Sequence, residues 1–199
     1  MNLINRAKNM LFSPKTEWQA VAAETPNASQ IVMGYVVPLA LAGAIAAFIG
    51  YGLIGISGFL GVRIAGVEWG LMYALNVLIS NIVSVYISAL VVDALAPSFG
   101  SEKNFGRSMQ LVAYSATPTL VANILLILPF LALIALLAGL VYCIYLWYIG
   151  LGPVKKTPED KNVTYLIVSI LVLIVVYWII NYIMTRILLS VLGVPVLGF

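Results

Sequence analysis

One uncharged stretch, residues 108–154, constrains this chain more than any other. It lies between Arg107 and Lys155 and holds 47 residues without a single Asp, Glu, Lys or Arg. At about 1.5 Å per helical residue, such a stretch can cross a hydrocarbon core of about 30 Å twice. Proline removes a backbone donor and ends or kinks a helix, so we expect the break between the two crossings at Pro129. The sequence therefore predicts a membrane hairpin at the centre of the protein.

The low fraction of charged residues indicates that most of the 199-residue chain, and not only this stretch, lies in a membrane. Charged residues make up 9% of it and hydrophobic residues 63%, whereas soluble domains carry about 25% charge. Hydrophobic runs of membrane length predict an all-α polytopic membrane protein with five transmembrane helices. The predicted spans occupy residues 31–54, 69–92, 107–128, 130–149 and 163–182.

The first 24 residues differ from the predicted five-helix bundle at 25–199. Residues 2–12 place their apolar side chains on one helical face and Arg6 and Lys8 on the other, which is typical of a short amphipathic helix in the headgroup plane. Ser13 and Pro14 favour the start of a second short helix, with Trp18 as its interfacial anchor. Two roles fit residues 1–24: attachment of the N-terminus to the membrane, or docking of a partner.

Polar residues recur every four positions along the second and third spans, which places them on one face of each helix. In lipid such a face turns toward other helices or toward water. Two interpretations follow: hydrogen bonds between helices, or the lining of a polar cavity or permeation path. The residues of these two stripes are Asn76, Ser80, Asn81, Ser84 and Ser88 on the second span, and Ser115, Thr119 and Asn123 on the third.

Asp93 closes the second-span stripe near a predicted membrane boundary. An acid inside the membrane is a functional candidate. If Asp93 lies at the membrane interface instead, we expect its carboxylate to be solvated, or paired with Lys103 or Arg107.

Basic residues fall on alternate sides of the five predicted spans. With the N-terminus inside, eight lie inside and only Arg63 and Arg186 lie outside. The positive-inside rule therefore predicts a cytoplasmic N-terminus and a C-terminus on the opposite side of a cytoplasmic membrane. The residues expected to contact lipid headgroups or a partner on the cytosolic side are Arg6, Lys8, Lys15, Trp18, Arg107, Lys155, Lys156 and Lys161.

The residue inventory disfavours an enzyme. The chain has no histidine, which is the commonest general base and metal ligand. We expect no cofactor and no metal site, and the scattered basic residues do not indicate nucleic-acid binding. The expected partners are membrane lipids, with another membrane protein or a second copy of the chain as further candidates.

Several short motifs occur in a recognisable order: Ser13-Pro14, Glu17-Trp18, Phe99-Gly100, Tyr114-Ser-Ala-Thr-Pro118, Leu128-Pro129, Tyr148-Ile-Gly-Leu-Gly-Pro153 and Thr157-Pro158-Glu-Asp-Lys161. In that order they resemble the Yip1 family of small five-span membrane proteins, in its bacterial branch. The resemblance implies a five-helix fold and a cytosolic N-terminus. Its eukaryotic members are similar to trafficking factors that bind prenylated small GTPases, but their acidic-aromatic motif is not evident here.

Two functional hypotheses remain. A membrane scaffold or adaptor would bind another membrane protein, or organise lipid, through its helix faces and basic cytosolic loops. A small permease or channel would instead use a polar path between the second and third spans. The scaffold is favoured, because polar residues between membrane helices usually serve packing.

Overall fold

The computed structural model describes residues 2–57 and 63–192, and these form a helix bundle. The centre of the glycine-rich connection, at 58–62, and the apolar tail at 193–199 lie outside the described residues. The predicted all-α polytopic fold is confirmed.

Two short helices, α1 (Leu3–Phe12) and α2 (Pro14–Ala23), begin the chain. The Asn2 side chain caps α1 by accepting a hydrogen bond from the Ile4 backbone amide at 3.0 Å, and Pro14 occupies the first turn of α2. Both helices bury one face against the bundle rather than lying apart from it. The residues that they add to the main hydrophobic cluster are Ala7, Met10, Trp18 and Val21.

The first two spans are α3 (Ala28–Ile54) and α4 (Val67–Leu95). Between them, Ile56–Ser57 (β1) and Arg63–Ile64 (β2) pair as a two-residue antiparallel ribbon. The α4 helix begins two residues before the expected start and ends three residues after the expected end. Asp93 therefore lies in the last turn of a helix and not in a loop.

The third span is broken. Helices α5 (Phe105–Ser115) and α6 (Thr117–Ala122) meet at a bend of 42°, and a 3₁₀ turn, Asn123–Ile127, follows. Pro118 lies in the first turn of α6, where its missing backbone donor would have no intrahelical partner. The third span, predicted as one helix over 107–128, is therefore interrupted at Ala116, just before Pro118.

The last two spans are α7 (Pro129–Lys155) and α8 (Glu159–Leu192). Pro129 starts α7, which confirms the predicted break between the third and fourth spans. The predicted end of the fourth span at residue 149 was wrong. The helix continues for another turn because Leu151 and Val154 are buried in the core, and it stops where Lys156 adopts a left-handed conformation with φ 51°.

Four helices are long and apolar enough to cross a membrane, and the bent α5–α6 pair makes a fifth when it counts as one span. Contacts at its two ends show that the pair runs the length of the bundle. Before α5, the Glu102 amide donates to the Lys155 carbonyl at 2.9 Å, at the end of α7. After α6, the Leu126 backbone packs against Gly50, near the opposite end of α3.

Three segments meet at one end of the bundle: α1–α2, the connection at 96–104 and the turn at 156–158. Arg107, at the start of α5, donates to the Val21 carbonyl of α2 at 3.2 Å, and Ser101 bonds to Thr157 at 2.8 Å. This end, called the basic end below, holds the eight basic residues that the topology predicted to share one side.

Small residues bring α3 close to its neighbours. A Cβ atom added to Gly43 would lie 2.7 Å from the Asn123 Cβ. At Gly52 and Gly70 the backbones of α3 and α4 themselves touch, since a Cβ on Gly70 would lie 2.7 Å from the Gly52 Cα. The small-residue face of the first span is thus a helix-packing surface, as membrane helices commonly use.

Candidate functional site

Arg6 lies at the centre of a buried charge cluster at the basic end. Its side chain is 2% exposed and pairs with Glu17 at 2.7 Å and with Glu24. Its guanidinium also lies 4.9 Å from the centre of the Tyr114 ring on α5, a cation–π contact. This placement corrects the expectation that Arg6 faces lipid headgroups. The two glutamates of α2 and its flank neutralise the charge, which allows α1 to dock against the bundle.

Trp18 is the largest fully buried side chain of the N-terminal helices. Its indole lies against Gly150 of α7, where an added Cβ would be 2.8 Å from the ring. Its ring centre is 6.5 Å from that of Tyr114. The expectation of an interfacial anchor is therefore corrected as well. An indole fits here because Gly150 has no side chain, and sequence patterning does not reveal that pairing.

Tyr114 joins the N-terminal helices to the bundle. Its ring packs edge-on against Tyr35 of α3, with 5.0 Å between centroids. The Tyr35 hydroxyl bonds to the Thr117 hydroxyl at 2.6 Å, and Thr117 also donates to the Tyr114 carbonyl at 2.6 Å. Residues 114–118 therefore connect α1, α3 and α5 at the point where the third span bends.

A second buried charge cluster holds the ends of α4, α5 and α7 together. Lys155 has a fully buried side chain, and its Nζ donates to the Ser108 hydroxyl at 2.7 Å. The same Nζ is 3.4 Å from an Asp93 carboxylate oxygen, to which Ser108 donates at 3.0 Å. Asp93 thus pairs with Lys155 rather than with Lys103 or Arg107. Lys155 reaches it because α7 continues past the predicted end.

The other basic residues lie nearer the surface. Arg107 is half-buried and bonds to the Gln110 side chain at 3.1 Å as well as to α2. The exposed Lys156 ammonium pairs with Glu102 at 2.9 Å and holds the pKa of that carboxyl below its ordinary value. The remaining predicted contacts are exposed at the basic end, as expected: Lys8, Lys15 and Lys161.

The second-span stripe is enclosed among helices. Asn76 donates to Thr185 of α8 at 3.2 Å, and Asn81 donates to its own helix at the Val77 carbonyl. The whole stripe is buried or half-buried. Two of its hydroxyl groups are shielded from solvent and have no hydrogen-bond partner among the described residues, those of Ser80 and Ser84.

The third-span stripe turns toward other helices. Thr119 donates to the Ala116 carbonyl at 2.9 Å and lies 3.7 Å from the Cys143 sulfur of α7. Asn123 packs against Gly43 of α3. Ser115 is 1% exposed, and its hydroxyl has no partner in the described part of the chain. The stripe residues therefore contact α3, α7 and α8, and no hydrogen bond recorded among the described residues joins one stripe to the other.

Sequence reasoning missed the acidic partners of the N-terminal cluster. Glu17 and Glu24 are the only acids before Glu68, and that isolation is a usable signal for a paired role. It also missed Tyr35 and Gln110, which lie within apolar helix faces and become partners only when the spans pack together.

Comparison with known proteins places this architecture in a family. A family model described as the Yip1 domain matches residues 8–181. Neither the curated proteins nor the solved structures contain a significant match to the chain. The matched range covers the second buried charge cluster, the glutamates of the first and most of the bundle, and it begins two residues after Arg6. The chain therefore belongs to the Yip1 domain family, and it is a multi-pass integral membrane protein.

Proposed function

We propose that this protein is a membrane scaffold or adaptor whose basic end recruits another membrane protein. The proposal is based on the exposed lysines at that end. Arg6 and Lys155 are buried and neutralised by carboxylates, so they contribute little to an outward field. Lys8, Lys103 and Lys161 are instead exposed, and none forms an ion pair among the residues described.

Rigidity of the basic end supports an adaptor. Charge pairs, aromatic contacts and backbone bonds join α1, α2, the 96–104 connection and the 156–158 turn into one surface. A surface that is ordered before binding loses less conformational entropy when a partner docks. The proposed orientation has this end in the cytosol of a bacterium, with the C-terminus across the cytoplasmic membrane, which follows the positive-inside rule.

Site-specific photo-crosslinking in membranes tests the adaptor proposal. A crosslinking residue at Gln19, on the exposed basic-end surface, should give discrete adducts of one or two masses. The substitutions Lys8→Glu, Lys103→Glu and Lys161→Glu together should lower adduct yield at least about tenfold, because charge complementarity governs encounter. A crosslinker at Leu133, exposed on α7, is the matched lipid-facing control. Equal adducts at both positions, or no change on charge reversal, would contradict the proposal.

A small permease or channel is the second candidate function. It is supported by the buried hydroxyls of Ser80 and Ser84 on α4, which have no hydrogen-bond partner in the described part of the chain. Buried polar groups usually bond to protein or to ordered water. The stripe contacts to three different helices favour packing instead.

Thiol labelling separates the two candidates. We expect cysteines at Ser80 and Asn123, in a Cys143→Ala background, to resist a membrane-impermeant reagent. A cysteine at exposed Lys103 should be modified at least about a hundredfold faster, since local opening of a packed core is rare. Rapid modification at both buried positions would show a wet cavity and would make transport the better interpretation.

A further inference from the structure

A polar cavity lies at the basic end, between α2, the last turns of α7 and the first turn of α8. Its volume is about 650 Å³, within the range of small-ligand pockets, about 300–1,000 Å³. It is separate from the two buried charge clusters. The lining residues that bear on its chemistry are Lys15, Gln19, Tyr148, Gly152, Glu159 and Asn162.

The lining carries both signs of charge. Lys15 supplies an ammonium group and Glu159 a carboxylate, and these two exposed groups form no ion pair in the described structure. The Asn162 Oδ1 oxygen is shielded from solvent and has no hydrogen-bond partner among the described residues. The cavity therefore offers a cation for an anionic group and two acceptors for a donor.

The position of the cavity at the ends of two spans indicates that it lies at the membrane surface. It lies where α7 ends and α8 begins. Because two adjacent apolar spans end there, we expect the headgroups of the bilayer at this level. Tyr148, an aromatic residue of the kind that marks the interface, forms part of its wall. A lysine in a pocket between spans can pair with the phosphate of a lipid headgroup, and Lys15 is in that position here.

We propose that this cavity binds the headgroup of a zwitterionic phospholipid that carries a primary ammonium, such as phosphatidylethanolamine. Its phosphate would pair with Lys15, and its ammonium would donate to Glu159 and to Asn162 Oδ1. A choline headgroup has no N–H donor for these oxygens, and a glycerol headgroup has no positive charge for Glu159. The inference goes beyond the scaffold proposal and does not rest on it.

Gly152 allows the cavity to be filled without disturbing the packing. A Cβ on Gly152 would meet no atom within 4 Å, so Gly152→Leu should project into the cavity. Gly34 on α3 has the same free space and does not line the cavity. Gly34→Leu is therefore the matched control. Equal thermal unfolding temperatures for the two variants would verify that both fold.

Native mass spectrometry of the full-length protein in detergent measures binding of the first lipid. We expect phosphatidylethanolamine to bind at least about tenfold more tightly than phosphatidylglycerol or phosphatidylcholine with the same acyl chains, because charge-assisted hydrogen bonds are about twice as strong as neutral ones. Gly152→Leu should remove that preference and Gly34→Leu should keep it. Glu159→Gln, at an exposed position, should also remove it.

Two results would overturn the proposal: equal binding of the three lipids to the unmodified protein, or equal lipid binding by the Gly152→Leu and Gly34→Leu variants. Soluble glycerophosphoethanolamine distinguishes a lipid from a free metabolite. At matched concentration it should not displace the lipid, because acyl chains add apolar binding energy. Full displacement would assign the cavity to a soluble phosphoethanolamine and would also overturn the lipid proposal.

Discussion

Gly50→Ala should destabilise the folded bundle by at least ~3 kcal/mol, the upper range for overpacking a well-packed core. The added Cβ would overlap the Leu126 carbonyl oxygen and lie 3.0 Å from the carbonyl carbon. Both atoms belong to the backbone of the 3₁₀ turn after α6, so no side-chain rotation relieves the clash. The first and third spans must separate. Reversible unfolding in mixed micelles, followed by tryptophan fluorescence, measures the loss.

Gly34→Ala is the matched control for this prediction. Gly34 lies in the same span, and its Cβ would meet no atom within 4 Å. Because alanine restricts the unfolded chain more than glycine, this variant should be unchanged or up to ~1 kcal/mol more stable. Equal unfolding free energies for the Gly50 and Gly34 variants would contradict the close contact between the first and third spans.

Arg6→Met should undock the N-terminal helices. Removing one member of a buried ion pair costs roughly 3–5 kcal/mol because the other charge stays buried and unpaired. Glu17, at 8% side-chain exposure, would be left in that state. A cysteine at the fully buried Val21 reports the opening, in a Cys143→Ala background. Its labelling by a soluble reagent should accelerate at least about a hundredfold, since 1.4 kcal/mol is a factor of ten.

A second substitution tests the electrostatic cause. Arg6→Met with Glu17→Met should recover most of the protection at Val21, because the buried charge is then gone. Glu24 needs no substitution, since its side chain is 41% exposed and can be solvated. Lys8→Met, on the exposed face of the same helix, should change nothing. If the double variant opened as readily as Arg6→Met alone, the charge pair would not be what holds α1 and α2.

The positions of several breaks could be predicted because their causes are local. Pro129 begins α7, because proline lacks the backbone donor that a helix interior needs and fits the first turn of a helix. The apolar runs on both sides of Pro129 form spans because each is long enough to cross a membrane. The Asn76–Ser88 stripe likewise follows from helical periodicity, and these residues do lie within one helix.

The end of α7 could not be predicted from local signals. Residues 150–153 contain two glycines and a proline, which normally end a helix. Burial of Leu151 and Val154 in the core extends the helix, and that one extra turn brings Lys155 to Asp93 and Ser108. The second charge cluster therefore depends on packing between segments 62 and 47 positions apart.

The sequence by itself determined the membrane class, the order of the spans and the shared side of the basic residues, because each depends on composition, proline position and helical period along the chain. Only the tertiary structure decided which basic residues are buried. Arg6, Trp18 and Lys155 have the residue types of an interface, yet each is enclosed. Each needs a partner or a gap supplied by another helix, and the free energy of burying charge or an indole depends on that distant neighbour.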